Sequence, residues 1–162
     1  MSNSPSALTH TNNLQVTPSQ VVVVYTEWND AIINELLAGC KRIFDAFANK
    51  ITYTLIQVPG CVEIPFAIKQ HYEKTRFHKP IDAYIAFGCV IRGETAHFDY
   101  VCQSVTDGIT KLNTSIGAPT IYGILTVNNL AQALDRIGGK HGHKGEEAAI
   151  TAIKMINFTK SL

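Results

Sequence analysis

The chain has 162 residues, 46% hydrophobic and 17% charged, which suits one compact domain with a substantial apolar core. Its net charge is +1, and no run of Lys or Arg could neutralise several phosphates, which argues against nucleic acid as a partner. Val21 to Tyr25 is far short of the roughly 20 apolar residues that cross a bilayer, and residues 1–20 lack the basic start and apolar core of a secretory leader, so a cytoplasmic protein without a membrane segment is expected.

Residues 1–19 are polar, rich in Ser, Thr and Asn and without periodicity. They read as a mobile arm that stays disordered or orders against a neighbouring subunit, with the domain proper spanning 20–162. Val21 to Tyr25 is a continuous β-branched run of the kind buried on both faces of a parallel sheet. Asn29 and Asp30 then offer an N-cap. Ile32, Ile33, Leu36, Leu37, Cys40, Ile43, Phe44 and Phe47 recur at helical spacing, leaving Asn34, Glu35, Lys41 and Asp45 for solvent.

Ile51 to Val58 is β-branched and aromatic and ends at the turn Pro59-Gly60. Pro65 suits the first turn of a second helix, which is expected to end near Phe77, before Pro80. Asp82 to Ile91 holds another buried strand, followed by the polar turn Arg92-Gly93-Glu94-Thr95. A third helix starts near His97, with Phe98, Val101, Cys102, Val105, Ile109 and Leu112 as its apolar stripe.

After Gly117-Ala118-Pro119 comes a strand from Thr120 to Leu125. Asn128 is expected to cap a helix reaching about Ile137, Gly138 to Gly145 to be a flexible link, and Glu146 to Phe158 a last helix. Strict alternation of buried strands with helices implies an α/β fold: a three-layer α/β/α sandwich of flavodoxin-like type around a parallel four-stranded sheet. Ligands of such sheets bind at the carboxyl ends of the strands. Those ends are Thr26 to Asn29, Pro59 to Glu63, Cys89 to His97 and the stretch after Tyr122-Gly123.

At the third of these ends, the backbone of Arg92-Gly93-Glu94-Thr95 and the positive end of the next helix could cradle an anion such as phosphate, although an ordinary turn with a solvated Arg reads the same way. His97 falls in the first turn of that helix, where the dipole disfavours imidazolium and suits a neutral acid/base; a cap or a packed side chain is the plainer alternative. Trp28 stands just past the first strand, placed to stack on a heteroaromatic ring or to fill a core or interface. Glu63 could accept hydrogen bonds from a polyol or merely cap its helix.

Cys40, Cys61, Cys89 and Cys102 form no C-x-x-C pair and sit in apolar contexts, so buried free thiols are expected. His71, His78, His141 and His143 lack companions at ligand spacing, and no metal site is expected. There is no G-x-G-x-x-G, P-loop or G-x-S-x-G. The residues alone therefore lead as far as an anion-binding α/β domain.

The string Gly88-Cys-Val-Ile-Arg-Gly-Glu-Thr-Ala-His-Phe-Asp-Tyr-Val101 closely resembles the signature of lumazine synthases, and the resemblance runs from about Val21 to Met155. Three further segments resemble that family in the same order: Glu27-Trp-Asn29, Val58-Pro-Gly-Cys-Val-Glu-Ile-Pro65, and Tyr122-Gly-Ile-Leu-Thr126 followed by Gln132, Arg136 and Lys144-Gly145. The resemblance implies an enzyme, a transferase of riboflavin biosynthesis. It would condense 5-amino-6-(D-ribitylamino)uracil with 3,4-dihydroxy-2-butanone 4-phosphate to 6,7-dimethyl-8-ribityllumazine, without cofactor or metal.

By the same resemblance Trp28 and Asn29 meet the uracil, and Cys61, Val62, Glu63, Cys89, Val90 and Ile91 line its pocket, Glu63 holding ribityl hydroxyls. The phosphate sits on the Glu94-Thr95 backbone with Arg136, Lys144 belongs to the binding set, and His97 shuttles protons. Tyr122 and Arg136 complete a neighbour's pocket in a homopentamer. An icosahedral shell is compatible with the short link before the last helix, and the arm could add a strand to a neighbour's sheet. Riboflavin synthase is a candidate partner.

The chain departs from the family pattern in having Gly142-His143-Lys144-Gly145 where Gly-Asn-Lys-Gly is frequent, and Trp28 and Tyr122 where Phe is frequent. Two other readings stay open: a shell-forming relative that holds a lumazine or flavin without turnover, and a flavodoxin-like flavin module. The second would need a phosphate cradle that Thr26 to Asn29 do not offer.

Overall fold

The four β-branched runs become one parallel sheet in the computed structural model, which describes residues 14–162. Its strands are β1 (Ser19–Thr26), β2 (Ile51–Val58), β3 (Ala83–Ile91) and β4 (Thr120–Val127), in the order β2-β1-β3-β4. Side chains alternate across the two inner strands as the pleat requires. Val21, Val23, Ile85 and Phe87 face one core, and Val22, Val24, Tyr84 and Ala86 face the other.

The first core is covered by α1 (Asp30–Asp45) and α5 (Lys144–Ser161), the second by α2 (Ile64–Thr75) and α3 (His97–Ser115). The stripe of α1 is as expected, with Ile32, Ile33, Leu36, Cys40 and Phe44 buried. In α5 the small residues Ala148, Ala149 and Ala152 are buried in that same core. Gly145 lies so close to the backbone of Leu36 in α1 that a Cβ would overlap it. This is the three-layer α/β/α arrangement, and the strand order reverses between β1 and β3.

Several boundaries differ from the sequence expectations. The helix after β4 is a single short turn, α4 (Leu130–Leu134), and its cap is Asn129, whose Oδ1 accepts from the Gln132 N–H at 3.0 Å. Asn128 instead donates its own N–H to the Gln132 side chain, at 2.8 Å. The stretch expected as a flexible link is a hairpin, β5 (Ile137–Gly139) antiparallel to β6 (Gly142–His143), and α5 begins directly after it. Gly138 and Gly142 adopt positive φ, which lets so short a hairpin reverse.

Of the expected arm, residues 1–13 lie outside the described residues. Residues 14–18 pack against α5: Val16 is buried, Asn157 donates to the Gln15 carbonyl at 2.6 Å, and Lys160 donates to the Pro18 carbonyl at 2.6 Å. Among the described residues no helix is long and apolar enough to cross a membrane. Cys40, Cys61 and Cys89 are buried free thiols, whereas Cys102 is only partly buried because α3 turns that flank of its stripe toward solvent.

Candidate active site

The reversal of strand order opens a crevice between the carboxyl ends of β1 and β3, the place where parallel sheets bind ligands. Asn29 bridges it. Its backbone is left-handed, φ 60 and ψ 45, a conformation Asn tolerates better than most residues. Its side chain caps no helix, contrary to the sequence expectation; the amide donates to the Cys89 carbonyl at 2.8 Å and ties β1 to β3. Trp28, one residue earlier, is 73% exposed.

The end of β2 approaches the same crevice. Pro59-Gly60 leads into a single 3-10 turn, Cys61–Glu63, which runs on into α2. A Cβ on Gly60 would lie 3.0 Å from a Glu63 carboxylate oxygen and 3.8 Å from Trp28 Cδ1, so this glycine keeps room between the two. At Gly88 a Cβ would stand 2.5 Å from Cys61 Sγ, so the bare backbone of β3 makes space for that thiol.

Burial pushes the Cys61 thiol up to about 12, with the neighbouring Cys89 and Cys102 adding to the effect, and the Cys89 thiol up to about 11. Both are protonated near neutrality, which disfavours them as nucleophiles. Cys89 is buried, Val90 and Ile91 are partly buried at the strand end, and Val62 is exposed.

Beyond β3, Arg92 braces the polar turn. Its guanidinium donates to both Asp99 carboxylate oxygens, at 2.8 and 3.3 Å, and to Asn128 Oδ1 at 3.2 Å, and it lies over the Phe98 ring at 4.1 Å. The Asp99 partner holds the Arg92 pKa above its ordinary value, and Arg92 holds the Asp99 carboxyl below its own. Such an exposed pair adds little stability. Its use is orientation, since it fixes the end of β3 to α3 and to the loop after β4.

Glu94 and Thr95 are exposed at the head of the 19-residue α3, and His97 is its first residue, also exposed. The backbone N–H groups of that first turn and the positive end of the helix suit an oxyanion or phosphate. An exposed imidazole at that place is accessible to a ligand at the strand ends.

The remaining candidates are carried by other elements, although burial, with the Cys102 and Cys61 thiols adding to it, raises the Tyr122 pKa, so that its hydroxyl lies toward the Cys61 side of this group. Tyr122 is near the start of β4, about 16 Å from that strand's carboxyl end at 3.3 Å per residue. Its hydroxyl shares a 3.0 Å hydrogen bond with Thr106. Arg136 sits between α4 and β5, partly exposed, and its guanidinium forms no ion pair among the described residues. Lys144, the first residue of α5, is bound to Glu147 at 2.6 Å.

Three roles were not foreseen from the sequence, which offered Asn128 only as a helix cap. Asp99 and Asn128 hold Arg92 through contacts that span 7 and 36 residues, and Gly88 accommodates Cys61. Gly88 left a readable trace, a glycine inside a strand, which often marks close approach. Two cavities lie elsewhere: one of about 180 Å³ between α1 and β2, the other of about 570 Å³ beside residues 14–17 and the end of α5.

Comparison with known proteins gives the chain its family. The family model described as 6,7-dimethyl-8-ribityllumazine synthase matches residues 18–160. The 6,7-dimethyl-8-ribityllumazine synthase of Bacteroides fragilis (strain YCH46) is 47% identical over 141 residues, covering 86% of this chain and 96% of that protein. The proteins of the same name from Parabacteroides distasonis and Phocaeicola vulgatus are each 45% identical, covering 85% and 86% of this chain and 84% and 82% of their own lengths. Because the match takes in the sheet, every strand end at the crevice and both helical layers, the chain belongs to the 6,7-dimethyl-8-ribityllumazine synthase family.

Proposed function

We propose that this chain condenses 5-amino-6-(D-ribitylamino)uracil with 3,4-dihydroxy-2-butanone 4-phosphate to 6,7-dimethyl-8-ribityllumazine, releasing phosphate and water, the step before riboflavin. The observation that carries the reading is the crevice at the β1/β3 reversal. In a chain of this family, Trp28 follows β1, Glu63 follows β2, and His97 and the N-terminus of α3 follow β3, all at carboxyl ends of the sheet.

Trp28 stacks on the uracil, with Asn29 beside it. Cys61, Val62, Cys89, Val90 and Ile91 form the wall, and Glu63 accepts hydrogen bonds from ribityl hydroxyls. The Glu94-Thr95 backbone receives the phosphate, and the Arg136 fork, not engaged in any ion pair among the described residues, binds its oxygens bidentately, with Lys144 close in sequence. The 5-amino group attacks the ketone, and loss of water gives an imine. Removal of the adjacent carbon-bound proton expels phosphate from the terminal carbon. The enol left behind becomes a carbonyl, and the ribitylamino nitrogen closes on it with loss of a second water.

His97 carries the protons between these steps. Holding both substrates in line supplies roughly 7 to 11 kcal/mol of the barrier reduction in favourable cases.

Tyr122 and Arg136 serve the pocket of an adjacent subunit in a homopentamer. Support comes from the exposure of Tyr122 itself and of Phe66 on α2 and Tyr100 on α3. Among the described residues the outer edge of β2 is unpaired, so the part of the arm ahead of residue 14 in another subunit can add a strand there, and the short β5–β6 hairpin is compatible with an icosahedral shell. Four free thiols suit a cytoplasmic location, and riboflavin synthase, which consumes the product, is the natural partner.

Steady-state kinetics on Arg136→Ala tests the site. The KM for the ketose phosphate is expected to rise roughly tenfold to a hundredfold, with the uracil affinity close to unchanged. Equal losses for both substrates would refute the phosphate role. His97→Ala should slow turnover on the order of a hundredfold while uracil binding persists.

A further inference from the structure

Resting on the reading of Arg136 as the phosphate-binding fork, we propose that His143 is a positioning residue for the ketose phosphate. Its imidazole keys into the notch that Gly39 leaves in α1 and so sets where the Arg136 segment stands at the end of the sheet.

The notch is specific. A Cβ on Gly39 would overlap the His143 ring itself, at Cε1 and Nδ1, so the imidazole occupies the space that any other residue of α1 would fill. His143 is 7% exposed, and neither ring nitrogen has a hydrogen-bond partner on another described residue. Buried imidazole nitrogens normally find partners, so this side chain is held by shape. Burial also pushes its pKa below the ordinary value, Arg42 adding to the effect against Glu146 and Glu35, which favours the neutral ring in the space beside Gly39.

From His143 the connection to Arg136 is short. His143 pairs with Ile137 across the β5–β6 ladder. The next residue, Lys144, donates its N–H to the Arg136 carbonyl at 2.8 Å, and the Arg136 N–H donates to the carbonyl of buried Ala133 at 2.9 Å. Arg136 is therefore gripped on one side by α4 and on the other by the residue that follows the key. Two strands of three and two residues cannot hold a hairpin in place alone. The anchor is α1, through the imidazole at Gly39 and, one turn earlier, through Gly145 on the Leu36 backbone.

The test uses the full-length assembled protein, with both substrates varied in turn, for His143→Ala, Gly39→Ala, the double variant and Arg136→Ala. Removing the key or filling the notch should raise the KM for the ketose phosphate about ten- to a hundredfold, since small misplacements of a binding group have effects of that size. The uracil affinity should stay within about twofold, because its wall lies on other elements. In the double variant the methyl introduced at position 39 takes up space the ring has left, so it should recover toward the parent relative to Gly39→Ala. Should Gly39→Ala fail to fold, His143→Ala, which creates no clash, decides alone.

An unchanged ketose-phosphate KM in His143→Ala, or equal losses for both substrates, overturns the proposal. Arg136→Ala separates the two levels. If it shifts that KM and His143→Ala does not, positioning by His143 is wrong. If Arg136→Ala leaves it unchanged, the assignment of Arg136 is wrong.

Discussion

Trp28 is the largest apolar side chain at the crevice and is 73% exposed, an arrangement that contributes little to folding and leaves a flat surface for a ligand. Stacking of a base on an aromatic ring is worth about 1–3 kcal/mol. Trp28→Ala should therefore weaken the uracil roughly tenfold to a hundredfold, Trp28→Phe much less, and neither should lower the unfolding midpoint appreciably. Fluorescence titration with the uracil alone checks this, and a stability loss without an affinity loss would reassign Trp28 to packing. Asn29 is a different case: its left-handed backbone and its bond to the Cys89 carbonyl make it part of the frame that holds β1 to β3. Reading it as a helix cap placed it correctly in the chain and mistook its side-chain partner.

At the scale of elements, the sequence was legible where the signal is long. The valine run of β1 and the stripe of α1 show the periods of a buried strand and a helix over 8 and 16 residues. The β5–β6 hairpin was not legible, because three residues opposite two, mostly glycine, cannot display a period of two. Asn128 and Asn129 are adjacent cap candidates with the same chemistry, and only the geometry of Gln132 distinguishes them. Trp28, Glu63, Glu94, Thr95 and His97, which the strand-end rule singled out, do stand beyond the carboxyl ends of β1, β2 and β3. The Arg92 brace escaped it, because a contact between residues 92 and 128 exists only after β3 and β4 have paired.

The hairpin also carries a pH dependence. The His143 pKa is held below its ordinary 6.5 by burial, among Glu35 and Arg42 of α1 and Lys144, Glu146 and Glu147 of α5. Above pH 6.5 the ring is neutral folded or unfolded, and the fold keeps its full stability. As pH falls below 6.5 the unfolded chain takes up the proton first, and stability is lost until the lower folded value is passed. His71, lowered by burial and by Lys79, acts in the same direction. Denaturant midpoints measured across this range should fall with acid in the parent and fall less in His143→Asn; identical slopes would contradict it.

For the whole molecule, the proposal to test is that Arg136, which forms no ion pair among the described residues, serves the crevice of a neighbouring chain. In a ring of subunits each heterologous boundary is equivalent, so a residue on one face serves the neighbour's site. His97→Ala and Arg136→Ala chains, each impaired alone, should regain activity when assembled together. At equal mixing about a quarter of the boundaries receive an intact His97 and an intact Arg136. Co-assembled samples no more active than the better single variant would place both residues in one chain's site. Exposed Phe66 and Tyr100 on the α2–α3 layer are expected to lose solvent in that assembly, which hydrogen exchange or small-angle scattering can follow.

The central claim is the condensation itself. The most direct measurement mixes the purified protein with both substrates and follows the absorbance and fluorescence of 6,7-dimethyl-8-ribityllumazine against a protein-free blank that corrects for spontaneous reaction. The account predicts phosphate-releasing product formation well above the blank and strongly reduced in His97→Ala. Product at the blank rate from protein that binds the uracil tightly would contradict it and leave a carrier or shell with the fold of a synthase.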